Sequence, residues 1–326
     1  MKILVTGGAG YIGSITVKKL LQEGHEVVVF DNLVYGHKEN VPCKLIIGDL
    51  IDKEFLFKSF ENETFDGVIH FAAYAYVGES MQDPYKYFYN NLLGGLNLLE
   101  LMVARKIPSI VFSSSCTIFG TPTKLPVSEI DLLQTENVYG ESKLMFEKML
   151  IWYDKIFNIK SIALRYFNAA GAALDGTLGE AHNPETHIIP NALQIALGKK
   201  ESFELFGDDY PTPDGTCIRD YIHVEDLATA HILALQKLEK NQQSDAFNLG
   251  TGKGYSNKEV LAMIEKITGK TIPTVIKPRR FGDAPQIYAD NRKARNELGF
   301  EPKHSDLETI IQTAWNWHRS NIKDKT

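Results

Sequence analysis

Short apolar runs alternate with longer amphipathic stretches through the first half of the chain. Residues 2–6 are apolar and lead into glycine, the mark of a buried strand. Residues 14–23 set Ile15, Leu20 and Leu21 among polar positions and stop at Gly24, which predicts a helix ended by glycine. Residues 27–30 form a second apolar run, ending at Asp31. The pattern recurs at 44–47, 67–71, 109–112 and 161–165, with helical stretches between the later runs. Alternation of this kind predicts an α/β fold with a Rossmann-type doubly wound parallel sheet.

After Asn168 the pattern loses its regularity. Residues 169–179 are rich in Ala and Gly, and 208–215 (DDYPTPDG) read as a turn-rich loop. We therefore expect one unit over 1–168 and a smaller α/β unit over 169–326. A helix over 226–238 and a strand over 245–249 predict that the chain returns to the first sheet around 221–249. Residues 321–326 read as a frayed tail.

Composition narrows the class. Among 326 residues, 35 basic against 41 acidic side chains give a net charge of −6, which argues against binding nucleic acid through bulk positive charge. Cys43, Cys116 and Cys217 offer no disulfide framework and no zinc spacing, as expected of a reducing compartment. The apolar run at the N-terminus breaks at glycine after Val5, too early for a signal core. No stretch reaches membrane-spanning length, so a cytoplasmic protein with no membrane partner is expected. The nine histidines show no HxxxH or HExxH spacing, so no metal site is expected, and His70 and His223 read as core or hydrogen-bonding residues.

Gly7, Gly10 and Gly13 lie between the first strand and first helix. Glycine there permits a tight turn and close approach of a pyrophosphate to the helix N-terminus. Glycine triplets also occur in ordinary turns, but Asp31 at the end of the next strand favours dinucleotide binding. Its carboxylate can accept from a ribose and would repel a 2′-phosphate, which favours NAD over NADP. Asp49, after the third strand, either reaches an adenine edge or caps a helix.

Tyr139 and Lys143 are four apart and share a helix face. That face continues through Phe146, Leu150, Tyr153 and Phe157, so Lys143 is a charge on an apolar stripe. Its ammonium is expected to lower the pKa of Tyr139 and make the phenol a usable base. The bland reading is a snorkelling lysine beside a core tyrosine. Ser113, Ser114 and Ser115 follow the fifth apolar run, at the strand end where open α/β sheets bind ligands.

Many motifs together carry a family resemblance that covers nearly the whole chain. They include VTGGAGYIGS from Val5, VIHFAA from Val68, FSSSCTIFG from Phe112, YGESK from Tyr139, LRYFNAAGA from Leu164, FGDDYPTPDGTCIRDYIHVEDLA from Phe206, NLGTG from Asn248 and RRFGD from Arg279. The sequence resembles the UDP-glucose 4-epimerase family of extended short-chain dehydrogenase/reductases. The resemblance implies interconversion of UDP-glucose and UDP-galactose with NAD, through a 4-keto sugar. It implies that Tyr139 is the catalytic base and acid, Lys143 its cofactor-side partner and Ser115 the assisting hydroxyl. Gly7, Gly10, Tyr11, Ile12, Gly13, Asp31, Asn32, Asp49, Leu50, Phe71, Ala72, Ala73, Asn90, Ser113 and Tyr166 fall on the cofactor side. Asn168, His187, Phe206, Arg219, Tyr221, Arg280 and Asp283 join Ser115 on the substrate side, the arginines being suited to bidentate diphosphate contacts.

The resemblance also implies a homodimer joined through a four-helix bundle, with 1–168 binding NAD and 169–326 binding the UDP-sugar. Two positions depart from its pattern: Ala75 stands where many members have a cofactor-gripping lysine, and Ile287 stands at a position lining the sugar pocket. Three alternatives remain beside it. One is a 4-epimerase of another UDP-sugar (N-acetylhexosamine, pentose or uronate). The second is a non-catalytic NAD sensor, which retention of Ser115, Tyr139 and Lys143 disfavours. The third is a 4,6-dehydratase, disfavoured because Ser115-Cys116-Thr117 lacks the acids that family needs.

Overall fold

Side-chain alternation along the apolar runs explains the layers of the fold. In β1 (Lys2–Thr6), Ile3 and Val5 face one side of the sheet and Leu4 faces the other. The same split recurs in β2 (Glu26–Asp31), with Val27 and Val29 on one face and Val28 and Phe30 on the other. Each strand is thus apolar on both faces, as a sheet covered on both sides requires. The computed structural model describes residues 1–280 and 282–323. Of the expected tail at 321–326, residues 324–326 lie outside the described residues.

The sheet adds β3 (Lys44–Ile47), β4 (Gly67–His70), β5 (Ser109–Ser115) and β6 (Lys160–Tyr166). Outside it in sequence come β7 (Asn168–Ala170), β8 (Phe203–Phe206), β9 (Ile218–Arg219) and β10 (Tyr221–His223). The chain then returns in β11 (Asp245–Leu249), which pairs in parallel with β6. The resulting seven-stranded sheet runs β11-β6-β5-β4-β1-β2-β3. Every pairing in it is parallel. The order reverses between β1 and β4, so a crevice opens beyond the carboxyl ends of these strands.

Helices cover both faces. On one side α1 (Tyr11–Gln22) packs beside a later helix over 224–241, and Leu20, Leu227 and Leu235 join the sheet's core. On the other lie α2 (Lys53–Ser59), the short α3 (Val77–Ser80) and α4 (Pro84–Phe88), α5 (Gly94–Arg105) and α6 (Val138–Phe157). Leu56, Leu98, Leu101, Phe146 and Leu150 fill that core. A third core sits apart from the sheet, among α7 (Ile188–Ala196), α9 (Asn257–Thr268) and α10 (Leu307–Lys323); α8 (Val224–Asn241) is the helix beside α1. Leu193, Val260, Ile264, Ile310 and Ile311 of α7, α9 and α10 form it. The remaining short strands are β12 (Tyr255–Ser256), β13 (Thr274–Lys277) and β14 (Gln286–Ile287). Among the described residues no helix is long and apolar enough to cross a membrane.

Two sequence expectations differ from the structure. The first helix starts at Tyr11, directly off the glycine turn, rather than at Ser14. The fifth strand continues through Ser115 rather than ending at Phe112. Parallel neighbours explain the second difference: Ser113, Ser114 and Ser115 pair with Leu164, Arg165 and Tyr166, so the ladder holds polar residues in an extended conformation.

Candidate active site

The turn after β1 is shaped for close backbone approach. Gly7 has φ of +74°, and a Cβ there would meet the Ala72 nitrogen at 2.5 Å. A Cβ on Gly13 would meet the Gly7 carbonyl at 2.2 Å, so α1 can begin tight against the turn only without one. Asp31 ends β2 beside it, buried, and accepts from the Ala9 amide at 2.9 Å and the Leu33 amide at 2.8 Å. Burial raises its carboxyl, and the two amides oppose that shift. Asn32 donates to Asp49 at 2.9 Å, and the other Asp49 oxygen accepts from the Ile51 amide. Asp31, Asn32, Asp49, Leu50, Ala72, Ala73 and Asn90 line one recess with Gly7 and Gly10. The residues present fit a dinucleotide: a glycine cradle for the pyrophosphate, and beyond it a buried carboxylate for the ribose.

The recess runs into a larger cavity of about 1040 Å³. Tyr11, Ile12, Gly13, Phe71, Ser113, Ser115, Tyr139, Lys143 and Tyr166 line its inner wall. Asn168, His187, Arg219, Tyr221, Arg280 and Asp283 line its far side. Phe206 is not among the lining residues; it sits beneath Arg280, whose guanidinium lies 3.8 Å from the ring centroid. Arg219 and Asp283 approach at 3.7 Å, so part of the arginine's charge is already met within the protein. Ile287 lines the same cavity and is buried, and Ala75 lines its edge.

The helix carrying Tyr139 and Lys143 is fixed at both ends. The Asn137 side chain caps α6 by accepting from the Gly140 amide at 2.7 Å. Asn158 ends it in the left-handed conformation. Behind the site, Arg165 grips Glu147 with two nitrogens, at 3.0 and 2.6 Å, and Ser114 donates to the same carboxylate at 2.5 Å. This buried trio ties α6 to β5 and β6 one turn beyond Lys143. Glu147 escaped the sequence reading because a single acid in a helix usually marks a solvated face. Only its partners on two strands make it structural.

Lys143 is 3 % exposed. Its ammonium donates to the Ser113 carbonyl at 2.7 Å and lies 4.9 Å from the Phe112 ring centroid. Burial drives its pKa down to about 7, against the pull of Glu147. Tyr139 behaves otherwise than expected: burial pushes its phenol up to about 12, Ser115 opposing the rise. Lys143 does not lower it, because the ammonium points at the Ser113 carbonyl and sits 5.7 Å from the Tyr139 ring centroid. Ser113 and Tyr166 share a short hydrogen bond, and burial raises the Tyr166 phenol. Ser115 accepts from the Thr117 hydroxyl at 3.0 Å, which leaves its own hydroxyl proton for another partner. Cys116 lines the cavity beside it, its thiol pushed up to about 12 by burial, so it stays neutral near pH 7.

Other residues follow the bland readings. His70 bonds the Thr6 hydroxyl at 2.7 Å, and burial holds its pKa down at about 3. His223 bonds Thr313 at 3.0 Å. The stripe on α6 divides: Phe146 and Leu150 are buried, whereas Tyr153 hands its hydroxyl to Glu100 and Phe157 is exposed.

Four donor-bearing side chains that no helical spacing links come together in one loop. Glu180, His182, Glu185 and His187 converge, with one candidate donor atom from each lying within 4.8 Å of the others. HxxxH and HExxH suppose helical spacing, whereas EAHNPETH is an irregular segment whose histidines are five apart. Burial acts to lower the His187 imidazole, but the Glu180 carboxylate beside it prevails and raises it. His187 in return holds Glu180 below the usual carboxylate range against burial.

Residues 3–250 match the NAD dependent epimerase/dehydratase family. The chain is 50% identical over 323 residues to the UDP-glucose 4-epimerase of Lacticaseibacillus casei, covering 98% of each chain. Among solved structures it is similar to UDP-glucose 4-epimerase from Brucella ovis in complex with NAD, at 47% identity and a TM-score of 0.93, covering 96% of this chain and 97% of that one. It is also similar to the UDP-Glc/GlcNAc 4-epimerase of Campylobacter jejuni, at 42% identity and a TM-score of 0.85, covering 98% and 99%. With its glycine cradle, its serine, tyrosine and lysine on one cavity wall and these relatives along nearly its whole length, the chain belongs to the NAD dependent epimerase/dehydratase family.

Proposed function

We propose that the protein interconverts UDP-glucose and UDP-galactose by NAD-dependent oxidation and re-reduction at sugar carbon 4. The observation that carries this reading is one continuous cavity. It joins the glycine cradle to Ser115, Tyr139 and Lys143, and these to Arg219 and Arg280. Residues 1–168, with the returning 221–249, would hold NAD, and 169–326 the UDP-sugar. NAD, when bound, supplies the hydride acceptor for carbon 4 and returns the hydride to the opposite face.

The chain's own residues handle protons and position. Tyr139, as phenolate, takes the proton of the 4-hydroxyl, alongside the Ser115 hydroxyl. The 4-keto sugar that remains stays tethered by its UDP half, held by Asn168, Arg219 and Arg280. Binding energy away from the reacting carbon holds the intermediate while the sugar turns within the cavity. Tyr139 then returns its proton as the 4-hydroxyl re-forms. Lys143 presents its donors to the cofactor side. The neutral Cys116 thiol, where a dehydratase carries an acid, leaves no group there to expel water.

Incubation with UDP-galactose, followed by chromatography, should give UDP-glucose without net NADH. Failure with NAD present would overturn the reading. A second sugar is favoured by one observation. Ile287, in the pocket wall, is an aliphatic side chain of moderate size, and the similar Campylobacter jejuni enzyme is named for both Glc and GlcNAc. UDP-N-acetylgalactosamine is therefore the second substrate to assay.

A second copy of the chain is the partner we propose for α5 and α6. Met145, Ile151, Trp152, Ile156 and Phe157 of α6 are exposed, and so is Leu96 of α5. Met145, Met149, Trp152 and Ile156 recur at steps of four, three and four, the seam of a helix bundle. Two such helix pairs facing each other make a four-helix bundle. Trp152→Glu should shift the particle from dimer to monomer in light scattering at micromolar concentration. A wild-type monomer at that concentration would count against the bundle.

A further inference from the structure

The segment between β7 and α7 brings two carboxylates and two imidazoles together within eight residues, 180–187. The carboxylates are almost sealed from solvent, with side-chain exposures of 5% for Glu180 and 4% for Glu185. Burying two like charges side by side is costly unless cations balance them. Among the described residues no lysine or arginine forms a salt bridge with either one; their ion-pair partners are His182 and His187.

Geometry bears on what completes the group. His182 Nδ1 lies 3.1 Å from a Glu180 oxygen and 4.0 Å from a Glu185 oxygen. That nitrogen is nevertheless buried without an aligned hydrogen-bond partner. His187 Nδ1 contacts Glu180 and lies 3.8 Å from Glu185. The Tyr76 ring packs 5.8 Å from His182, and its buried hydroxyl also lacks a partner. Donors converge here, and two buried polar atoms are left over.

We infer that Glu180, His182, Glu185 and His187 form a binding site for one divalent cation of the zinc class, on the wall of the substrate cavity. Two imidazoles and two carboxylates make a donor set suited to such an ion. Tetrahedral bonds of about 2.0–2.2 Å place neighbouring donors roughly 3.4 Å apart. The donor atoms all lie within 4.8 Å of one another, so to reach that spacing the close Glu180–His187 contact has to open and the widest pairs have to close by about an ångström. A dication also cancels the two carboxylate charges with both imidazoles neutral. Glu180, His182 and His187 line the cavity, so the ion has a path in from solvent. Bound there, it would pin this segment at the start of α7.

The test uses untagged full-length protein freed of metal by a chelator. Zn2+ is titrated calorimetrically with Mg2+ as control, and Co2+ is added to read coordination from its visible absorption. One equivalent of Zn2+ at micromolar affinity or tighter, and intense tetrahedral Co2+ bands, are expected. His182→Ala and Glu185→Gln should each weaken binding by at least the ~10–100-fold that loss of even an outer partner costs. Circular dichroism confirms their folding; if either fails to fold, the wild-type Co2+ bands decide. Absence of Zn2+ binding, octahedral Co2+ bands, or unchanged affinity in folded variants would overturn the site, the last placing the metal elsewhere.

Discussion

Tyr139→Phe should lower turnover by about 10²–10⁴-fold, the usual worth of a positioned acid–base group. The change removes one oxygen and keeps the ring, so the packing at the start of α6 is preserved. Dissociation constants for NAD and UDP should stay within a few-fold, because the glycine cradle and Arg219 lie on other elements. The pH dependence tests the role more sharply. In the cofactor-free protein burial holds the phenol up at about 12, so near pH 8 only about one molecule in 10⁴ carries the phenolate. A positively charged nicotinamide nearby would lower that value and raise the phenolate fraction. Wild-type turnover should therefore rise with pH along a limb that Tyr139→Phe lacks. Near-normal epimerisation by the variant would remove Tyr139 from the reaction.

Lys143→Met should trade activity for stability. The ammonium is buried against Phe112 with one carbonyl as hydrogen-bond partner, and its pKa has fallen to about 7. A group whose pKa is lower in the folded than in the unfolded chain destabilises the fold wherever it is protonated in both. For Lys143 that penalty is fully present below pH 7. It is relieved as pH rises from about 7 toward the unfolded value near 10.5, and is gone above it. Methionine fills similar volume without charge. The NAD-free variant should gain about 1–4 kcal/mol in denaturant unfolding at pH 7, the range seen when buried charges give way to apolar packing. The gain should shrink steadily toward pH 10. Turnover should fall by at least ~10²-fold, since methionine presents no donors to the cofactor side, where positioning of the reactants is set. A variant less stable than wild type at pH 7 would show that the Ser113 contact outweighs the desolvation of the charge.

These two expectations rest on different kinds of information. That strands form around residues 2–6, 27–30 and 67–71, and that a glycine turn follows the first, is legible because local pattern and backbone sterics act over a few residues. The spacing of Tyr139 and Lys143 is legible for the same reason: a helix places positions four apart on one face whatever surrounds it. Most candidate residues on the cavity wall, Asn168, Arg219 and Arg280 among them, were legible only through the family resemblance that many motifs carry together. Their electrostatics were not. The sequence suggested that Lys143 acts on Tyr139, but the Ser113 carbonyl takes the ammonium and burial sets the phenol's pKa.

The sequence by itself determined the parallel α/β fold and the glycine turn from Gly7 to Gly13, and it set Tyr139 and Lys143 on one helix face. Each depends on periodicity or on a short motif, whereas the roles proposed for Ser115, Tyr139 and Lys143 rest on the family resemblance. Only the tertiary structure decided what distance and desolvation control. It brought Arg165 and Ser114 onto Glu147 and kept the three serines in β5. It set Phe206 beneath Arg280 rather than on the cavity wall. It also folded the irregular segment 180–187 so that four donors meet. A loop has no fixed period, so no spacing rule foretells which of its side chains converge; that depends on the elements packed around it.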